Sequence, residues 1–222
     1  MEGIFFIVAL IVILVFSVVL HEVAHGVVAY LLGDPTAKAH GRLTLNPKSH
    51  IDPVGSLLVP GVLLLFGFIF GSSFLFGWAK PVPYNPFNLR NPRLGAALVG
   101  FAGPATNLLI ALLAGIGVRL LFTFTDPEKT SGVITVLLMM VIVNLLLAIF
   151  NLLPVPPLDG SKVLFSVLPI SHEQRLLFEQ YGFVILLVFI FIGGTQIVSI
   201  MINTLLPLFV GVQRIGDFLV FF

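Results

Sequence analysis

The chain has 222 residues, 58% of them hydrophobic and 9% charged, with no cysteine and a net charge of +1. A mean hydropathy of +1.14 excludes an ordinary soluble domain. The near-zero charge excludes a basic nucleic-acid interface, and the absence of cysteine excludes disulfides and thiolate ligands, leaving His and carboxylates for any metal.

Residues 4–32 form the first predicted span, closed by the helix-stop sequence Gly33-Asp34-Pro35. No positive region precedes it, and the apolar run passes any plausible cleavage point, so this span is expected to stay in the mature protein. Within it lies His21-Glu22-Val23-Ala24-His25. In a helix, residues four apart are about 40° out of phase and about 6 Å apart along the axis, so both imidazoles project from one face. One zinc ion can bridge them, with Glu22 beside the first ligand to take a proton from a water. The alternative is polar packing between helices, but ionisable groups in lipid are costly and mostly functional.

Segment 36–53 is polar, and Arg42-Leu43-Thr44-Leu45 alternates like a short strand. Residues 54–76 are apolar but broken by Pro60 and by Gly55, Gly61, Gly67 and Gly71. Gly77 to Tyr84 should be extended because of its prolines. Residues 94–122 predict a long packing helix rich in Gly and Ala. Span 133–153 runs into Pro154-Val155-Pro156-Pro157-Leu158-Asp159-Gly160, where the prolines forbid continued helix. A short amphipathic piece within 161–180 leads to apolar segments at about 181–203 and 205–222, the last able to lie along an interface. The expected fold is an all-α polytopic membrane protein, one integral domain over 1–222. It has five or six apolar helical segments, one of them re-entrant, and short membrane-associated β-strands.

A catalytic zinc takes three protein ligands and leaves one position for water. His40, His50 and His172 lie in polar loops, where a solvated imidazole is the commoner state. Asp159 follows broken backbone, which is tolerated at membrane depth only where it lines a protein-walled or wet cavity. Locally it reads equally as an Asp-Gly turn leaving the membrane.

His21-Glu22-Val23-Ala24-His25 together with Asn151-Leu152-Leu153-Pro154-Val155-Pro156-Pro157-Leu158-Asp159-Gly160 resembles the signature of the site-2 protease family of intramembrane zinc metalloproteases. Gly33 to Lys38, Gly41 to Pro47, Gly77 to Pro83 and Ala102-Gly103-Pro104-Ala105-Thr106-Asn107 resemble its compact prokaryotic members, which lack a PDZ domain. The resemblance runs from Leu20 to Leu164. It implies one catalytic zinc held by His21, His25 and Asp159, with Glu22 as the catalytic residue. It also implies Asn151 near the substrate peptide, against an alternative as an amide bridging two helices. Asn107 and Asn144 have a weaker claim of the same kind, with packing as the favoured role.

If the three ligands share one ion, spans 4–32 and 133–153 must end at one membrane face and run parallel. One of the two apolar segments between them must then not cross, and the interrupted 54–76 is the candidate re-entrant segment. That topology puts Lys38, Arg42, Lys48, Lys80, Arg90, Arg93, Lys162 and Arg175 on one face and Lys129 on the other, so the first face is the cytoplasm. The expected function is regulated intramembrane proteolysis. The partner is a membrane-anchored protein with a transmembrane helix, cut near the cytoplasmic side of the cell membrane after local unwinding. The strand-like pieces near Arg42–Leu45 and Lys80–Tyr84 are expected to hold it by edge pairing. A metal or proton transporter and a non-catalytic zinc-containing membrane scaffold are the competing readings. The first leaves the placing of an acid between two His unexplained, and the second has no need of Glu22.

Overall fold

The computed structural model describes residues 2–70, 77–126, 129–168 and 170–211. Its helices are α1 (Glu2–Leu31), α2 (Thr36–Ala39), α3 (Val59–Phe70), α4 (Pro92–Phe124), α5 (Ser131–Leu152), α6 (Asp159–Val167), α7 (His172–Gln180), α8 (Gly182–Phe189) and α9 (Thr195–Val210). Among the described residues, four stretches are long and apolar enough to cross a membrane: Gly3–Leu31, Pro92–Phe124, Ser131–Leu152 and Gly182–Val210. The last joins α8 to α9 through a π-type turn, Ile190–Gly194, where Gly193 takes φ +111°, a conformation that side chains disfavour. The multi-pass helical expectation therefore holds. The expected break between 203 and 205 is absent, because α9 continues through Pro207 to Val210. Residues 212–222 lie outside the described residues.

Helix boundaries follow local chemistry. Asn91 caps α4 by accepting from Leu94 N, with Pro92 at the first helical position. Gly33, at φ +108°, ends α1. Ser171 and Gln174 form a reciprocal capping box for α7.

The interior is built where α4 meets α5. Ala111, Ala114 and Val118 pack with Ile134, Leu138, Val141 and Leu145, and α8 and α9 add Leu186, Val198 and Val210. Small residues on α4 let neighbouring backbones approach closely: a Cβ on Gly115 would lie 2.6 Å from Phe209 O. The large apolar side chains of α1 point outward over much of its length, as lipid permits.

Helix directions follow from the contacts. His25 meets Val99 while His21 meets Asn107, so α4 runs antiparallel to α1. Asn144 meets Ser17, and the chain just after α5 meets His21, so α5 runs parallel to α1. The end of α1 and the start of α4 are adjacent, with Arg90 N donating to Leu32 O at 3.1 Å. The chain between them therefore leaves and returns at one end of the bundle. Its apolar part is the π-type turn Pro53–Leu58 followed by α3, and residues 71–76 of the expected re-entrant segment lie outside the described residues.

The described residues contain no β-strand, which corrects the expected short strands. Residues 43 and 44 form a bend, and 77–85 is extended without a ladder. Pro81 and Pro83 lack the N–H groups a ladder would use. Arg42 turns inward and donates through Nη2 to Lys80 O at 2.7 Å, while Lys80 N donates to His50 O at 2.9 Å.

Candidate metal centre

His21 and His25 are both buried, one helical turn apart on α1, with their rings edge to face at a centroid distance of 4.6 Å. Each ring is fixed by its Nδ1. His25 Nδ1 donates to Val99 O at 2.6 Å, and a carbonyl can only accept. His21 Nδ1 donates to Asn107 Oδ1 at 2.5 Å. The Asn107 amide is oriented in turn by donation to Asn144 Oδ1 at 2.8 Å, and Asn144 donates to Ser17 Oγ at 2.9 Å. Both imidazoles thus turn Nε2 to the same point, the arrangement by which metal-binding His residues are held in one tautomer.

Asp159 arrives at that point from α6. Its Oδ2 lies 3.1 Å from His21 Nε2 and 3.0 Å from His25 Nε2. Asp159 and Gly160 open helix α6 rather than forming a turn that leaves the membrane. A Cβ on Gly160 would collide with the carbonyls of Leu152 and Leu153, so the glycine lets α6 tuck beneath the end of α5. With neutral imidazoles, three lone-pair atoms face one another, an arrangement that a shared cation relieves. Their spacing approaches the roughly 3.3 Å between ligands of a tetrahedral ion with bonds of about 2.0–2.1 Å. The residues fit zinc.

Lys162 Nζ sits 2.8 Å from Asp159 Oδ1. Burial would lower the Lys162 ammonium, and the Asp159 charge reverses this and raises it.

Glu22 is half-buried beside the His pair, and its carboxylate could itself reach a cation placed between them. Its Oε2 accepts from Val82 N at 2.8 Å. A cavity of about 150 Å³ opens here, lined by His21, Glu22, His25, Asn151, Asp159 and Lys162 among others. Asn151 stands on its wall and donates to Leu147 O of its own helix at 2.9 Å, with no interhelical bridge among the described residues. Opposite, α4 comes so close that a Cβ on Gly103 would lie 2.5 Å from Nε2 of both His residues.

The remaining polar candidates stand apart from this centre. His40 is exposed and bonded to Thr36 O, and His50 is buried against Thr44 O. The His172 side chain lies outside the described residues. Asn107, for which packing was the favoured role, orients His21, and Lys162 went unread as a site residue. No signal local to α4 marks Asn107, since its partner His21 lies 86 residues away.

The family model described as Peptidase family M50 matches residues 116–193, which include Asn151 and Asp159. The protein named "Putative zinc metalloprotease YwhC" of Bacillus subtilis is 37% identical over 87% of this chain and 85% of its own length. Rip2 of Mycobacterium tuberculosis, under the same description, is 31% identical over 78% of this chain and 62% of its own length. No solved structure matches the chain. The chain belongs to peptidase family M50, the site-2 proteases, and is a zinc metalloprotease with a multi-pass helical body.

Proposed function

We propose that this protein hydrolyses peptide bonds within or near transmembrane helices of membrane-anchored proteins. In this reading His21, His25 and Asp159 hold one zinc ion and Glu22 is the catalytic residue. The supporting observation is the convergence of His21 Nε2, His25 Nε2 and Asp159 Oδ2 at 3.0–3.1 Å, with Glu22 on the same cavity. A transporter and a non-catalytic scaffold are not favoured, since the relatives of this chain are described as proteases.

When bound, the ion supplies Lewis acidity toward the scissile carbonyl and an acidified water. Glu22 takes the proton of the attacking water and returns it to the leaving amine. The Val82 N–H holds one of its oxygens in place, leaving the other to carry the proton. Asn151, which lines the cavity, is read as the contact for the substrate backbone. A helical substrate shields its own peptide bonds and has to unwind before attack. The extended segment 77–85 offers an edge to the unwound strand: neither Val82 C=O nor Tyr84 N–H has a partner among the described residues.

The charged end of the bundle, where α1 finishes, is read as cytoplasmic in the cell membrane. The catalytic core is read as residues 4–160, with the helices from 181 onward completing one domain.

The decisive comparison is wild type against Glu22→Gln on a purified helical membrane substrate, with zinc measured in both. Zinc should be retained in both and cleavage should fall at least about 100-fold in the variant; persistent cleavage would remove Glu22 from its role. For the edge, Tyr84→Pro deletes the N–H and should slow cleavage about 10-fold, the loss of one hydrogen bond, while Tyr84→Phe should not. Equal rates would exclude pairing at this residue.

A further inference from the structure

Lys162 follows Asp159 by three residues on α6 and divides the carboxylate in two. Its ammonium lies 2.8 Å from Oδ1, while Oδ2 alone faces the His pair at 3.1 and 3.0 Å. Helix α4 makes room for the lysine. A Cβ on Gly100 would lie 2.9 Å from Lys162 Cβ and 3.2 Å from its Cδ, so the stem passes over a bare stretch of backbone. The head is flanked by Tyr84, whose ring centroid is 5.6 Å from Nζ, and it lines the cavity shared with Glu22 and Asn151. A largely buried amine is costly unless paired, so its position is specified from three elements rather than being a chance contact on one helix.

A carboxylate with both oxygens free can chelate an ion through both. In a catalytic centre the second oxygen would then fill the position that water needs. We propose that Lys162 is a positioning residue that holds Asp159 Oδ1, restricts the carboxylate to one metal-facing oxygen and keeps a coordination position open. This rests on the reading that His21, His25 and Asp159 hold the metal.

Cobalt(II) in place of spectroscopically silent zinc provides the readout, because four-coordinate cobalt absorbs visible light far more strongly than five- or six-coordinate cobalt. Purified wild type loaded with cobalt should show the strong bands. Lys162→Met should show weak bands of higher coordination, and Lys162→Arg should restore the strong bands. Lys162→Gln serves the same comparison should the Met variant aggregate. Unchanged bands in a variant lacking the ammonium would overturn the proposal while leaving the metal site intact. A wild type that takes up neither zinc nor cobalt would overturn the metal-site reading itself.

Discussion

At the residue scale, the centre depends on two groups outside its ligand set. Asn107 fixes the His21 ring through Nδ1, and the Asn107–Asn144–Ser17 relay is buried throughout. Replacing Asn107 by Ala frees the ring and strands the Asn144 oxygen. The expected result is about a 10- to 100-fold loss of metal affinity, read by competition with a chelator. Gly103→Ala should be more severe, since its methyl would occupy the space beside both Nε2 atoms. The expected outcome is less than one zinc per chain in an otherwise folded protein, and full zinc occupancy would show that α4 can yield there.

At the element scale, Asp34 ties the end of α1 to the extended segment. It is fully buried and accepts from Thr36 N and Oγ1, Asn85 N and Asn88 Nδ2 at 2.5–3.2 Å. Burial alone would raise its carboxyl, but these donors, Thr36 and Asn88 foremost, outweigh it and lower it. A carboxyl depressed in the folded state contributes stability that is complete above its unfolded value of about 3.9 and lost as pH falls through the folded value. Hydrogen exchange across residues 80–90 should therefore accelerate as pH drops below about 4, after correction for the intrinsic rate. Asp34→Asn should loosen the segment by about 1–3 kcal/mol at neutral pH and abolish that acid dependence. An acid response that survives in the variant would place the sensitivity elsewhere.

For the whole molecule, parallel α1 and α5 require the chain between α1 and α4 to return to its starting face. The natural absence of cysteine makes single-cysteine variants clean reporters. Cysteines at Asn85 and Ser171 should label from the same side, and one at Thr130 from the opposite side. Labelling of residue 85 from the side of residue 130 would break the topology and separate Asp159 from the His pair.

Much of this was legible in local pattern. The i, i+4 spacing of His21 and His25 fixes their shared face whatever the surroundings, and Gly33-Asp34-Pro35 and Asn91-Pro92 mark helix ends through backbone chemistry. The alternation at Arg42–Leu45 misled, because period two describes side-chain direction and says nothing of whether a partner strand exists. Asn107 was read as packing because its partner is 86 residues away, and nothing local to α4 reveals which helix face His21 will present to it.

The sequence by itself determined the membrane-embedded class, the ligand types, the paired His and the acid between them, since these rest on composition and on the 3.6-residue period. Only the tertiary structure decided that Asp159 reaches the His21 ring across 138 residues, that Asn107 and Val99 set the tautomers, and that Lys162 claims the second carboxylate oxygen. Contacts of that range exist only once α1, α4 and the end of α5 have packed. Packing is settled by close approach at glycines such as Gly103 and Gly160, where the absence of a side chain is what brings the reacting groups together.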